Sequence, residues 1–335
     1  MIHSSAPKLQ QESWQKTLAN AVKDPAELIK LLDLPASLLP KAIAASKNFP
    51  LRVTRCYINR IIPGDTEDPL LLQVLPLHQE NNPQPGFVTD PVEDLSSTIV
   101  PGLIHKYFGR VLLTVTGACA IHCRYCFRRH FPYHENNPTA NNWLQAISYI
   151  TDNSSISEVI LSGGDPLVLN DHRLATLCRQ LAQISHLKRI RIHSRIPVIA
   201  PQRVTEGLLD WIGNSRIKII LVIHSNHKNE IDPEVGEALM KLNSAGVTVL
   251  NQSVLLRKIN DNPNDLCDLN TRLFEYSVLP YYLHLLDRVA GAAHFEVSRD
   301  KAIKIIKVMR ARLPGYLVPR LAWEEPGKAN KTIIR

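Results

Sequence analysis

Cys119, Cys123 and Cys126 stand within eight residues in the pattern Cys-x3-Cys-x2-Cys. Three thiolates at this spacing can converge on one centre from a single loop. Iron–sulfur clusters are usually held by four cysteines. No fourth cysteine lies near in sequence, which would leave one iron open to a non-protein ligand. A zinc ion completed by His122 or His130 is the other chemistry the triplet allows, although structural zinc sites usually come as two spaced ligand pairs. The isolated Cys56, Cys178 and Cys267 read as small, half-buried side chains. A second chemical stretch is Ser162-Gly163-Gly164-Asp165-Pro166-Leu167, where two glycines would let backbone approach a ligand closely. In isolation such a stretch is also a plain turn.

The elements that must position these residues follow a regular alternation. Short β-branched apolar runs fall at 111–116, 158–163, 189–194, 217–225, 247–253 and 281–286. Helix-length amphipathic stretches lie near 141–152, 171–184, 204–213, 233–245, 265–275 and 299–312. Strands joined by helical crossovers are parallel. Six such units are too few for the eight-stranded barrel, so the spacing predicts an α/β fold with a partial, open (β/α)6 barrel. A doubly wound sheet is the alternative. The cysteine triplet follows the first run and Ser-Gly-Gly-Asp the second; His193-Ser194-Arg195, His224-Ser225-Asn226-His227, Asn251-Gln252 and Asp287 fall at the ends of the next four. Ligand-capable residues thus collect at the carboxyl ends of the strands, the active-site face of such barrels.

The first hundred residues differ. Asp24-Pro25 reads as an N-cap and first helical residue, Pro40 interrupts a second helical stretch, and 61–100 is rich in Pro, Asp, Gln and Asn, as extended chain wrapping a core. The expected organisation is an N-terminal helical and loop-rich extension (1–100), a core barrel (101–312) and a short C-terminal segment (313–335). Of 335 residues, 44% are hydrophobic and 21% charged, a globular composition that argues against a disordered or coiled-coil chain. No apolar stretch is long enough to span a membrane, and the first residues carry no signal-peptide core, so a cytoplasmic protein is expected. Lysine and arginine exceed the acids by 39 − 31 = 8, but the basic residues are scattered, and no nucleic-acid partner is expected.

Cys119-x3-Cys123-x2-Cys126 followed by Phe127, behind the first strand of a six-unit β/α array, resembles the radical S-adenosylmethionine (SAM) superfamily. LIHKYFGRVLLTVTGACAIHCRYCFRRHFPY, ILSGGDPL, RIHSRIPVIAPQRVT, HSNHKNEID, VTVLNQSVLLRKIND and PYYLHLLDRVAGAAHF run in order through 103–295 and resemble the lysine 2,3-aminomutases, most closely the bacterial branch that makes β-lysine for attachment to elongation factor P. The resemblance implies a [4Fe–4S] cluster on the three cysteines with SAM on the fourth iron. It also implies pyridoxal 5′-phosphate (PLP) on a lysine. A SAM-derived 5′-deoxyadenosyl radical and a PLP imine would then convert L-lysine to β-lysine. Ser162, Gly163, Gly164 and Asp165 match the SAM-contacting stretch. Lys331 matches the PLP lysine, with Lys328 as competitor, and Arg110 matches an arginine near PLP. Arg128 matches the substrate-carboxylate position, a role for which the arginine fork is suited; Arg129 beside it reads as structural. Asp287 and Glu324 match the acids for the substrate ammonium. His193, Ser194, Arg195, Gln202, His224, Asn226, His227, Asn251 and Gln252 are expected to line the cofactor cavity, His193 and Gln252 foremost. The partners implied are an electron donor such as flavodoxin or ferredoxin and a functional link to an elongation-factor-P lysine ligase.

Two other readings compete. A glutamate or arginine 2,3-aminomutase would need a different pocket in place of Asp287 and Glu324. A zinc-bound nucleic-acid module, prompted by the positive charge, predicts neither SAM nor PLP dependence.

Overall fold

The computed structural model describes residues 13–136 and 140–335. The six apolar runs form parallel strands, extended by strands that periodicity did not predict: two antiparallel ones at one end, and a parallel then a short antiparallel one at the other. In chain order the strands are β1 (Thr98–Val100), β2 (Leu103–Tyr107), β3 (Arg110–Thr116), β4 (Glu158–Gly163), β5 (Arg189–Ser194), β6 (Lys218–His224), β7 (Thr248–Val254), β8 (Leu279–His284), β9 (Arg320–Trp323) and β10 (Thr332–Ile333). Their order in the sheet is their order in the chain. β3 through β9 pair in parallel, while β1–β2, β2–β3 and β9–β10 are antiparallel.

A doubly wound sheet requires the strand order to reverse at a switch point. Here it never does. The sheet also curls. Lys106 of β2 lies 3.5 Å from Glu324, just past β9. In a flat sheet, seven strand spacings would hold them about 34 Å apart. The fold is therefore the partial barrel, with its two edges brought close.

Strand alternation sorts the side chains. Val111, Leu113 and Val115, Val159 and Leu161, Ile190 and Ile192, and Ile219, Leu221 and Ile223 are buried with Leu174, Leu177, Leu208 and Leu239 of the surrounding helices. Their neighbours face the other way, and along β4–β7 those neighbours are Ser162, His193, His224 and Gln252. The lumen is thus polar at the carboxyl ends of the strands. Five of the six crossovers enter a helix through a side-chain cap: Asn170, Thr205, Asp232, Asn262 and Ser298 accept from the first helical turn. Such residues supply the acceptor that the free N–H groups there need.

Residues 13–100 join the same apolar core, through Trp14, Leu28, Val53, Tyr57 and Leu71. Asp24 caps helix Pro25–Leu31, and Pro40 falls in the first turn of helix Leu39–Ser46. The remainder runs over the strand-end loops. Arg52 O accepts from His122 N at 2.9 Å, Gln73 O from Arg124 N at 3.0 Å, and Val88 N donates to Arg288 O at 2.9 Å. Arg60 Nη1 donates to Glu230 O at 2.6 Å. This segment covers the face on which the chemical residues gather. Among the described residues, no helix is long and apolar enough to cross a membrane.

Candidate active site

The loop after β3 carries the cysteines. Cys119, Cys123 and Cys126 are half-buried. Burial, and the other two thiols, raise Cys119 well above an ordinary thiol, and burial with Cys123 pushes Cys126 up to about 11. The resistance of Cys119 and Cys126 to ionisation is what a bound cation would reverse, since coordination deprotonates thiols. The histidines that would complete a zinc site turn elsewhere: the His122 ring pairs with Pro50 O at 2.7 Å and the His130 ring with Ala290 O at 3.0 Å. Among the described residues, no three Cys, His, Asp or Glu groups converge as ligands of a single ion. A cluster seats each thiolate on a different iron and does not need that convergence. The donor set therefore fits an iron–sulfur cluster better than zinc.

Arg124 holds this loop from within. It pairs with Glu80, and the two side chains are 2% and 1% exposed. It also donates to Leu72 O at 2.8 Å and contacts the His294 ring at 3.1 Å.

The two glycines of the Ser-Gly-Gly-Asp stretch pack tightly against the chain. A Cβ on Gly163, whose φ is +118°, would sit 2.4 Å from Thr116 O; one on Gly164 would sit 2.2 Å from Ala118 O. The close approach is to the cysteine loop itself. Asp165, expected among the cofactor contacts, has both oxygens committed within the protein. One accepts from Ser194 Oγ at 2.7 Å and Leu167 N at 3.0 Å, the other from Arg195 N at 2.7 Å. It ties the end of β4 to the end of β5 and is a positioning residue. Burial raises its carboxyl to about 6 against these donors.

Inside the barrel, the His193 and His224 rings lie 5.9 Å apart and Gln252 Nε2 is 3.0 Å from the His224 ring. Burial drives His193 and His284 well below the usual imidazole range, helped by Arg191 at His193 and by Lys331 at His284. Burial and Arg195 lower His224 to about 3. These imidazoles are neutral. His193 Nε2 is buried without a hydrogen-bond partner. An orphaned polar atom in this lumen fits a bound polar ligand such as PLP.

Past the imidazoles lies a set of charges from both edges of the sheet. Lys331 pairs with Glu324. Lys106 lies 2.6 Å from Asp94 and 3.5 Å from Glu324. Arg128 Nε donates to Asp94 Oδ2 at 2.8 Å and Nη1 to Ser162 Oγ at 3.2 Å. Burial would raise Glu324, but the Lys331 and Lys106 ammoniums outweigh it and hold the carboxyl below its usual range; Arg128 and Lys106 do the same for Asp94. Asp287 differs: burial, reinforced by Glu324 and opposed by Lys331, pushes it up to about 7. Arg110 opens β3 and lies over the Tyr107 ring at 4.8 Å, and burial with the nearby Glu324 pushes the Tyr107 hydroxyl up. Lys328 is exposed on the turn at Gly327, so the structure favours Lys331 over Lys328 as the lysine turned to the cavity.

Four residues expected at the cavity make hydrogen bonds within the framework. Gln202 Nε2 donates to Glu234 at 2.7 Å, and His227 caps the turn Lys228–Glu230. Asn226 bonds Tyr125 at 2.6 Å and Gln73 at 3.0 Å, and Asn251 bonds Ser225 O at 3.1 Å. Lys106 and Asp94 were missed by sequence reasoning. Nothing in their spacing marks them: Lys106 meets Glu324 from the far end of the chain, and Asp94 meets Lys106 and Arg128 across separate elements.

Residues 113–269 match the Radical SAM superfamily. The L-lysine 2,3-aminomutase of Escherichia coli K12 is 50% identical over 322 residues, covering 96% of this chain and 94% of that protein. That of Haemophilus influenzae Rd is 47% identical over 324 residues, covering 97% and 96%. That of Clostridium subterminale is 34% identical over 322 residues, covering 96% and 77%.

Proposed function

Because the chain belongs to the lysine 2,3-aminomutase family of radical SAM enzymes, we propose that it is an isomerase converting L-lysine to β-lysine. When bound, the cluster with SAM supplies a carbon-centred radical and PLP a π-bonded nitrogen, the two requirements for moving an amino group between adjacent carbons. Cys119, Cys123 and Cys126 would hold the cluster. Lys331 would hold PLP, with His193, Gln252 and Arg110 as its surroundings, and Ser162 with the Gly163-Gly164 backbone would border SAM.

The observation that carries the substrate assignment is the charge set at the lysine end of the lumen. Arg128, held at Asp94, presents the one guanidinium beside Ser162 and suits the substrate carboxylate. Asp287 and Glu324 suit a remote ammonium. Glu324 now holds the Lys331 ammonium. Were Lys331 to hold a cofactor aldehyde, its ammonium would no longer pair with Glu324, leaving that carboxylate available to a substrate cation. A glutamate substrate would bring its side-chain carboxylate against two acids, so the acids disfavour it. An arginine substrate is the competitor they leave.

The electron would come from a low-potential one-electron donor of the flavodoxin or ferredoxin kind. The product would serve a ligase that attaches β-lysine to elongation factor P.

The test is borohydride reduction of anaerobically reconstituted protein, peptide mapping, and assays with lysine, arginine and glutamate. The expected result is broad iron–sulfur absorption, a pyridoxyl group on Lys331 and β-lysine as product. A cluster without any pyridoxyl adduct would remove the aminomutase chemistry; turnover of arginine but not lysine would replace the substrate.

A further inference from the structure

Arg195 reaches the cysteine loop. Its Nη1 donates to Cys123 Sγ at 2.7 Å and to Tyr125 OH at 2.9 Å. Among the described residues, no other side chain donates to any of the three cysteine sulfurs. Its Nη2 donates to Glu230 Oε2 at 2.8 Å and Gln73 Oε1 at 2.7 Å. Its backbone N–H is fixed by Asp165 at 2.7 Å. Glu230 is fully buried, and its other oxygen takes Asn226 N at 2.8 Å and His227 N at 3.1 Å. The guanidinium therefore cannot swing away from the sulfur without leaving a buried carboxylate unpaired, a costly change.

From this geometry we propose that Arg195, offset by Glu230, tunes the reduction potential of the centre held by Cys123. The proposal rests on the reading that a cluster binds at the triplet. The step concerned is the entry of one electron. An external one-electron donor is oxidised, the centre gains one negative charge, the three sulfurs stay bonded and no proton moves. A cation hydrogen-bonded to a ligand sulfur stabilises the more negative, reduced form, and hydrogen bonds and charge at the sulfurs are recognised determinants of cluster potentials. Arg195 therefore raises the potential. Glu230, on the far side of the guanidinium, subtracts from its field. Arg195 acts through Cys123 and is a positioning residue.

The two charges predict opposite shifts, which a merely structural role would not produce. The experiment is a potentiometric titration of the reconstituted holoenzyme, read by electron paramagnetic resonance of the reduced cluster, with iron content measured alongside. Arg195→Gln is expected to lower the midpoint and Glu230→Gln to raise it. Each shift should reach about a tenfold change in the ratio of reduced to oxidised centres at fixed poise, about 59 mV for a one-electron couple. Arg195→Lys, which keeps the charge and loses the fork, should fall between wild type and Arg195→Gln. If Arg195→Gln takes up no iron, the Arg195→Lys and Glu230→Gln pair decides. Unchanged midpoints, or shifts of the same sign in protein of full iron content, overturn the inference. A wild-type protein that binds no cluster overturns the reading beneath it.

Discussion

The two ends of the barrel lumen are built differently. At the cysteine end the framework charges Arg124, Arg195 and Asp165 are deeply buried and matched. Arg124 meets Glu80, Arg195 meets Glu230, and Asp165 is saturated by three donors. Five segments contribute: the first hundred residues and the loops after β3, β4, β5 and β6. At the lysine end the charges share partners and stay partly open: Glu324 serves both Lys106 and Lys331, whose side chain is 24% exposed, and Lys331 immediately precedes a two-residue strand. One end is a fixed scaffold, where losing a partner strands a buried charge. The other is an exchangeable set, where losing a partner changes which group pairs with which. Substitutions at the cysteine end should therefore register first in stability or potential, and those at the lysine end first in chemistry.

The sharpest break is at Lys331. Lys331→Ala should lower β-lysine formation by about 10^4-fold, the order expected when the group that bonds the reacting species is removed. Cluster content and the unfolding midpoint should stay near wild type. Lys328→Ala, on the exposed turn, should change neither. Turnover assays with iron analysis check this. Equal losses for the two variants would mean that the C-terminal segment acts as a unit and not through one amine.

Arg124 tests the opposite end. Arg124→Met leaves Glu80 buried without its cation, which should cost about 3–5 kcal/mol. Denaturant unfolding of the apoprotein measures it directly. A small change there would mean that the first hundred residues close over the cysteine loop by apolar packing alone.

The same contrast explains what could be read from the chain. The six parallel strands and the cysteine triplet were legible because both are local: strand periodicity and ligand spacing lie within a few residues. The framework charges were not. Glu230 follows β6 and bonds an arginine after β5 and a glutamine from the first hundred residues, so no window of sequence contains the set. Lys106 meets Glu324 only because the sheet curls. β9 and β10, of four and two residues, are too short to show a period. The protein partners of Asp165 and Gln202 were hidden for a related reason: a polar residue near a strand end can be turned to a neighbouring loop as readily as to a ligand.

The mildest expected effect is in pH. Asp287 lies with Glu324 and Asp94, which disfavour its charge, and with Lys331 and Lys106, which favour it, and burial dominates to leave its carboxyl at about 7. This folded value lies above the unfolded one, so the neutral acid is the form the free fold prefers. The group's contribution to stability is present below about pH 4 and is lost as pH rises through about 7. Binding an ammonium asks for the opposite form. The ionised fraction falls from about nine-tenths at pH 8 to about one-tenth at pH 6, so kcat/KM for lysine should fall about tenfold over that interval, since it reports groups of the free enzyme. Asp287→Asn should start lower at pH 8 and lose this limb of the profile. The stabilisation that added lysine gives the holoenzyme in a thermal unfolding experiment should correspondingly grow from pH 6 to pH 8. A limb that persists in Asp287→Asn would assign it to another group, and the lysine end would then owe its charge exchange to Glu324 alone.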